Sequence, residues 1–150
     1  HSVKRPVKDI DYGSDGDVER VAAQALGQLL EQTIVPVMAP LTHDGNGKIL
    51  NTNADTIAGE TAKALAQLFD VTLVYCFEKR GVLRDENDDE SVISLITKSD
   101  FKRYVEEEVI TGGMIPKLEN AFEAIDKGVE QVVISCASDV KGEKGTLIKK

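Results

Sequence analysis

A run of seven residues, Val71–Phe77, constrains the fold of this 150-residue chain more than any other segment. The run is β-branched, aromatic and apolar, which is typical of a strand. Its apolar residues are continuous rather than alternating, so both faces of the strand are expected to be covered, as in a parallel sheet. A second continuous run, Ile34–Ala39, predicts another strand that is covered on both faces. The two runs favour an α/β fold.

Helical patterns separate these strands. Apolar side chains recur on one face from Asp17, and Thr52–Asp55 has the spacing of a capping box before a second helix. In the first half of the chain, the sequence predicts at most a short strand and then a loop within 3–17, a helix from Asp17 to Leu30, a strand at 34–39, a hairpin at 43–48 and a helix that ends at Leu68. The second half is predicted to contain a strand at 71–77, an edge strand at 92–96 and a short helix capped by Ser99 or Asp100. A helix from Pro116 to about Lys127, closed by Gly128, and strands at 129–135 and 146–148 complete the prediction. This order predicts a three-layer αβα sandwich with a mainly parallel sheet and a β-hairpin insertion.

Composition narrows the class of partner. The net charge is −8, which argues against nucleic acid as a main partner but leaves a nucleotide open.

Cys76 and Cys136 each lie in an apolar run and are predicted to be buried, reduced thiols of a cytosolic protein. No Cys or His pair has zinc spacing, and no apolar run is long enough to span a membrane.

The chain length predicts a single domain. The start at His1-Ser2, without Met or a charged and apolar leader, indicates a tag remnant, a cleavage product or an excised piece, and it gives no support to secretion.

The stretch Thr111–Lys117 carries the clearest chemical signal. Paired glycines lead into Pro116, which suits a first helical position, and then into Lys117. A cation is unfavourable at a helix N-terminus unless an anion such as phosphate binds there. Two interpretations therefore stand together, an anion site and an ordinary loop-to-helix junction with an exposed lysine.

The common phosphate loops are absent, since neither the P-loop pattern nor the dinucleotide fingerprint occurs. Ligands of open α/β sheets bind where strands give way to helices. Three such junctions carry polar residues: 51–55, 78–83 and 111–117.

Two of these junctions carry a family resemblance. The segment Asn51–Gly59 reads NTNADTIAG and resembles the N-x-N-A-D-x-x-A segment of the acetylglutamate kinases, within the amino acid kinase family. The segment Gly112–Lys117 reads GGMIPK and resembles their [ST]-x-G-M-x-x-K segment. The resemblance covers essentially the whole chain, and it implies transfer of the γ-phosphoryl of ATP, with Mg²⁺, to the side-chain carboxylate of an N-acylated glutamate in arginine biosynthesis.

The resemblance also implies roles for single residues. Lys117 matches the lysine that stabilises the transferring phosphoryl group, Asp55 the aspartate that holds the catalytic lysines in place, and Asn51 the residue that hydrogen-bonds the acylamino acid. The positions that match segments lining the nucleotide are Glu78, Lys79, Arg80, Gly81, Val82, Leu83, Val109, Ile110, Thr111 and Gly113.

Two features depart from the family pattern. The family usually has an Asp that follows a Thr or Ser, whereas this chain has Glu78 at the position of the Asp and Phe77 before it. The family also begins with a lysine and a Gly-Gly loop that have no counterpart in residues 1–50. The chain therefore resembles the carboxy-terminal, ATP-binding part of a longer cytoplasmic kinase whose full form is expected to be a homo-oligomer. By itself the chain is expected to be inactive. A non-catalytic nucleotide-binding module and a sister kinase acting on another carboxylate or carbamate are the alternatives.

Overall fold

The computed structural model describes residues 1–5, 14–141 and 143–150, which form two compact units, His1–Leu68 and Phe69–Lys150. The loop predicted around residues 12–13 lies outside the described residues, as does residue 142 of the loop predicted at 140–145. A domain can contain more than one compact unit, so the single domain expected from the chain length stays a prediction.

The first unit contains two small antiparallel sheets. Strands β1 (Ser2–Lys4) and β2 (Gly16–Val18) pair with each other, and so do β3 (Leu41–His43) and β4 (Ile49–Asn51). The second pair is the predicted hairpin. Gly45 and Gly47 in its turn have φ values of 82° and 90°, which glycine adopts without strain. The Asp44 carboxylate accepts the backbone N–H groups of Asn46 and Lys48 and closes the turn.

Two helices complete the first unit, and both starts differ from the sequence prediction. Helix α1 (Ala23–Glu31) begins six residues after Asp17, because Asp17 pairs with Val3 in the first sheet. Helix α2 (Ala54–Leu65) is capped by Asn53, whose side chain accepts the N–H of Thr56 at 3.0 Å. The hydroxyl of Thr52 instead donates to the carbonyl of Gly16.

The apolar run Ile34–Ala39 is not a strand, so the prediction of a buried strand there is wrong for this structure. Val35 is 81% exposed and Val37 is 95% exposed. No neighbouring strand pairs with this run within the described residues. An apolar strand forms only where other elements cover its faces, and the described residues of the first unit supply none.

The second unit is built on one four-stranded sheet. Its strands are β5 (Thr72–Phe77), β6 (Leu95–Ile96), β7 (Gln131–Cys136) and β8 (Thr146–Ile148), in the spatial order β5-β7-β8-β6. Two of the three neighbouring pairs are parallel, and only β7 and β8 run antiparallel. The mainly parallel sheet is confirmed, and so is the mixed α/β class, with four helices in the described chain.

Helices α3 (Lys98–Glu106) and α4 (Met114–Asp126) pack against this sheet and against each other. The rings of Phe101 and Phe122 meet at 5.5 Å between the two helices. Thr97, rather than Ser99 or Asp100, is the N-cap of α3, and Asp100 completes a capping box with it. Helix α4 begins at Met114, two residues before the predicted start. Gly128 has a φ of 106°, as predicted for the residue that ends a helix.

The core of the second unit centres on β7, in which Val132 and Ile134 are at most 1% exposed. Helix α4 covers this strand with Leu118 and Ala121, both fully buried. The prediction of buried thiols is wrong, because Cys76 is exposed and Cys136 half-buried, although both are free. In the part of the chain that the structure describes, no helix is both long and apolar enough to cross a membrane.

Candidate functional site

Strand direction brings several chain segments to one edge of the four-stranded sheet. Strands β5 and β7 are parallel and end at this edge, whereas β8 and β6 run the other way and begin there. Because β5 and β6 lie at opposite sides of the sheet, the connection at 78–94 crosses this edge. The carboxyl ends of parallel strands are where open α/β sheets bind ligands.

A cavity of about 320 Å³ opens beside this connection. It is lined by residues of the connection and of the segment between α3 and α4: Lys79, Gly81, Val82, Leu83, Glu86, Val109, Ile110, Thr111 and Met114. The structure thus brings seven of the ten predicted nucleotide-lining residues together around one cavity. Glu78 and Gly113 are the sequence neighbours of two lining residues, Lys79 and Met114. The guanidinium of Arg80 donates a hydrogen bond to Glu90.

One hydrogen bond fixes the cavity wall to the sheet, and a second one holds the connection together. The N–H of Val82 donates to the buried hydroxyl of Thr146 at 2.8 Å, and the N–H of Ile93 donates to the carbonyl of Val82 at 2.9 Å. A Cβ atom on Gly81 would lie 2.7 Å from the Thr146 hydroxyl oxygen. Glycine is therefore needed at residue 81 so that the connection can reach the first residue of β8.

A second cavity, of about 470 Å³, lies at the end of β5. Its lining consists of Cys76, Phe77, Glu78, Lys79, Gly81, Met114 and Lys117. Lys79, Gly81 and Met114 line both cavities, so the two are adjacent. The larger cavity adds one carboxylate and one further cation, which come from the end of β5 and from the first turn of α4.

The first turn of α4 has the features of an anion site. Gly112 has a φ of 53°, and a Cβ on Gly113 would meet no atom within 4 Å. No acidic residue lies in this turn. Pro116 is the third helical residue rather than the first. An N–H group at this position would have no intrahelical partner, so its absence in proline costs no hydrogen bond of the helix. Lys117 follows it, half-buried.

The Lys117 ammonium lies 3.5 Å from the centroid of the Phe77 ring. Within the described residues it forms no hydrogen bond and no ion pair. The two neighbouring cations are paired, since Lys79 Nζ lies 2.7 Å from Asp89 and Arg80 Nη1 lies 2.7 Å from Glu90. The hydrogen bond from Lys79 holds the pKa of Asp89 below its usual value, and the same bond raises the pKa of Lys79.

The remaining predicted residues, Asn51 and Asp55, lie in the first unit. The N–H of Asn51 donates to Ser14 O at 2.8 Å, and its side-chain amide donates to Asp15 Oδ1 at 3.0 Å. Asp55 lies in the first turn of α2, where the helix dipole favours a carboxylate. The roles assigned to all of these residues stay predictions.

Four cavity-lining residues were missed from the sequence: Cys76, Phe77, Glu86 and Met114. Met114 lies inside the recognised GGM segment, so its position was the available signal. Glu86 belongs to an acidic run that has the composition of a solvated loop. Nothing in its local sequence sets it apart from its acidic neighbours.

No dedicated metal cage is present, because no group of three or more His, Cys, Asp or Glu side chains converges among the residues that the structure describes. Glu78 is the one carboxylate that the lining of the larger cavity contributes. This donor set does not fit a resident metal ion. A Mg²⁺ that arrives with a nucleotide needs no such cage, since phosphate oxygens and water supply most of its ligands.

The sequence and the fold are similar to those of known proteins. The model of the amino acid kinase family matches residues 2–136. An acetylglutamate kinase from Phocaeicola vulgatus is 71% identical over 99% of this chain and 58% of its own length. One from Methanopyrus kandleri is 37% identical over 95% of this chain and 56% of its own length. The chain thus spans somewhat more than half the length of the curated relatives that it matches.

Solved structures agree on the fold. N-acetylglutamate synthase from Neisseria gonorrhoeae, complexed with coenzyme A and N-acetyl-glutamate, superposes with a TM-score of 0.84 at 21% identity, over 99% of this chain and 36% of its own. Carbamate kinase from Giardia lamblia gives a TM-score of 0.64 at 18% identity, over 91% of this chain and 52% of its own. At these identities the likeness concerns the fold alone. The family model covers nine-tenths of the sequence, and the chain therefore belongs to the amino acid kinase family.

Proposed function

We propose that this chain is the carboxy-terminal, ATP-binding part of a kinase that transfers the γ-phosphoryl group of ATP to the side-chain carboxylate of N-acetyl-L-glutamate or a related N-acylglutamate. The observation that carries the proposal is the identity of 71% with an acetylglutamate kinase across nearly the whole chain. The proposal includes a cytoplasmic location, a step in arginine biosynthesis and a homo-oligomeric full-length protein.

The two adjacent cavities suit the two parts of ATP. The smaller cavity has apolar walls from Val82, Leu83 and Ile110, which suit the adenosine. The larger cavity contains Lys117 and the open start of α4, which suit the phosphates. Glu78, Lys79, Arg80, Val109, Thr111 and Gly113 complete the proposed contacts.

Phosphoryl transfer requires in-line positioning and neutralisation of charge more than covalent chemistry. In this proposal the Lys117 ammonium stabilises the negative charge of the transferring phosphoryl group, and an N-terminal helix turn without acidic residues adds its dipole. Mg²⁺ enters as part of the substrate, MgATP. By resemblance to the family, Asp55 is proposed to hold the catalytic lysines of the complete kinase in place, and Asn51 to bind the acylamino acid.

The first unit gives this proposal independent support. An apolar run with Val35 81% and Val37 95% exposed is unusual for a folded surface. The relatives contain further sequence beyond the matched region, since this chain spans only 58% of the Phocaeicola vulgatus protein. We propose that the further part of the kinase covers this run and completes the acylglutamate site.

Nucleotide binding is the direct test. Titration of the chain with MgATP in a calorimeter should show saturable binding, and Lys117→Ala should weaken it about tenfold through loss of charge-assisted hydrogen bonds to phosphate. Lys127→Ala is the matched control, because Lys127 is an exposed lysine at the opposite end of the same helix. Equal effects of the two substitutions would contradict a phosphate role for Lys117.

Gly113 offers a second control. A Cβ at this position meets nothing within 4 Å, so Gly113→Ala should leave the melting temperature unchanged. The added methyl group would stand at the helix start where the phosphates are proposed to lie. Binding of MgATP should therefore weaken while stability does not. Unchanged binding would remove Gly113 from the site.

The alternative is a nucleotide-binding module without catalysis, which is favoured by the fact that both cavities lie within one compact unit. The measurement that separates the two is ADP formation from MgATP and N-acetylglutamate. We expect no turnover with the chain alone, and turnover once the unmatched part of the Phocaeicola vulgatus relative is supplied in trans. Binding of ATP without turnover in the mixture favours the module. Reaction with carbamate or another carboxylate in place of N-acetylglutamate indicates a sister kinase.

A further inference from the structure

Phe77, whose ring contacts the Lys117 ammonium, has no role in the proposed function. Phe77 is the last residue of β5, and its ring centroid lies 3.5 Å from the Lys117 ammonium. The ring of Tyr75, two residues earlier on the same face of the strand, stacks on Phe77 at 5.9 Å with the planes 22° apart. Tyr75 is only 7% exposed, so the Phe77 ring rests on a buried, fixed neighbour.

An aromatic ring holds a cation differently from a carboxylate. The ring face attracts the ammonium through its quadrupole and accepts no conventional hydrogen bond. An ammonium has three donors, and a carboxylate partner would occupy at least one of them and neutralise the charge. Lys79 and Arg80 have such carboxylate partners in Asp89 and Glu90, whereas Lys117 has none among the described residues.

The location of the contact matters as much as its chemistry. Phe77, Glu78 and Lys117 all line the larger cavity. A lysine at this position could swing toward solvent or toward the Glu78 carboxylate, and ordering its long side chain on binding would cost rotamer entropy. In the contact with the ring, the ammonium lies at the cavity with its charge and its donors still available.

We propose that Phe77 is a positioning residue, which holds the Lys117 ammonium at the larger cavity so that its N–H donors are free for the phosphates of a nucleotide. This inference rests on the proposed function, because it takes the ligand of Lys117 to be a phosphate chain. It assigns Phe77 no contact with the reacting atoms.

The first experiment reads the contact itself. In ¹³C-labelled protein without nucleotide, ring current should shift the Lys117 Hε resonances upfield from those of the exposed lysines, and Lys117→Ala identifies them. Phe77→Leu should return these resonances to the ordinary lysine position, while Phe77→Tyr should retain the shift. A Lys117 signal at the ordinary position in the unaltered chain would overturn the inference.

The second experiment couples the contact to binding. Phe77→Leu should weaken MgATP binding about three- to fivefold, in line with a partly exposed cation–π interaction, and Phe77→Tyr should stay close to the original affinity. In a Lys117→Ala background, Phe77→Leu should have no further effect, because Phe77 acts through the lysine. Melting temperatures of all variants verify that each is folded.

The outcomes are distinct. If Phe77→Leu weakens binding equally with and without Lys117, the ring acts as part of the cavity wall and the inference is overturned, although ATP binding stands. If the unaltered chain binds no MgATP, the proposed function itself fails. If the effect of Phe77→Leu disappears in the Lys117→Ala background, both are supported.

Discussion

The two compact units are similar in length but differ in where their apolar residues lie. Among the described residues, 18 of the 20 buried apolar side chains belong to the second unit, and only Leu50 and Ala62 belong to the first. Nine of the eleven exposed large apolar residues are in the first unit. The second unit is organised around one central strand, whereas the described part of the first has two helices and two two-stranded sheets, which a bridge between Asp15 and Asn51 links. The difference indicates that the second unit supplies its own core, and it agrees with the proposal that a further part of the kinase covers the first.

Hydrogen exchange on the intact chain gives the largest expected contrast. Backbone amides of β7, which pairs on both sides, should be the slowest to exchange. Amides of β3 and β4 should exchange at least about a hundredfold faster, because a two-stranded sheet with little buried surface opens without disturbing the rest. Mass spectrometry of peptides from each unit measures both rates. Equal protection would mean that the two units unfold as one.

A matched pair of substitutions sharpens the contrast within one residue type. Val132→Ala removes two buried carbon atoms from a side chain that is 0% exposed, and should cost about 2–3 kcal/mol of the free energy of unfolding. Val37→Ala removes the same atoms from a side chain that is 95% exposed, and should change it by no more than about 0.5 kcal/mol. Urea unfolding followed by circular dichroism measures both. A large loss for Val37→Ala would show that the exposed run is covered in solution.

The smallest effect concerns the exposed Lys79–Asp89 pair of the second unit. The pairing lowers the pKa of Asp89 in the folded chain, so its contribution to stability is present above the unfolded pKa and is lost as the pH falls through the folded one. Asp89→Asn should therefore lower the melting temperature slightly at neutral pH and not at about pH 3. Glu119→Gln, on the exposed side of α4, is the control. A difference that persists in acid would mean that Asp89 acts through something other than its charge.

Local signals in the sequence predicted much of the second unit. The run at 71–77 became β5, the glycine at 128 ended α4, and the strands at 129–135 and 146–148 formed with small changes of boundary. These signals depend on neighbours that the unit itself contains. Strand order was beyond the sequence, because a register between β7 and β8 is set by packing rather than by either segment alone.

The sequence predictions that proved wrong have physical reasons. The run at 34–39 has a strand composition, but a strand needs partners and the described part of the first unit offers none. Asp17 lies at the start of a helical pattern, yet pairing with Val3 placed it in a sheet. At the site, nine of the thirteen residues recognised by family resemblance line the two cavities of the second unit, whereas Asn51 and Asp55 lie in the first unit. Phe77 could not be assigned from the sequence, because its meaning depends on a contact with a residue 40 positions later.

The hydrogen bond between Val82 and Thr146 has a consequence for folding kinetics. It joins residues 64 positions apart in the sequence. Closing so long a loop is entropically unfavourable until β7 and β8 have already assembled, and contacts of this kind slow folding. We therefore expect the wall of the smaller cavity to form late in folding, once β7 and β8 have paired. If the wall forms late, a nucleotide stabilises the finished fold by mass action without accelerating the early steps.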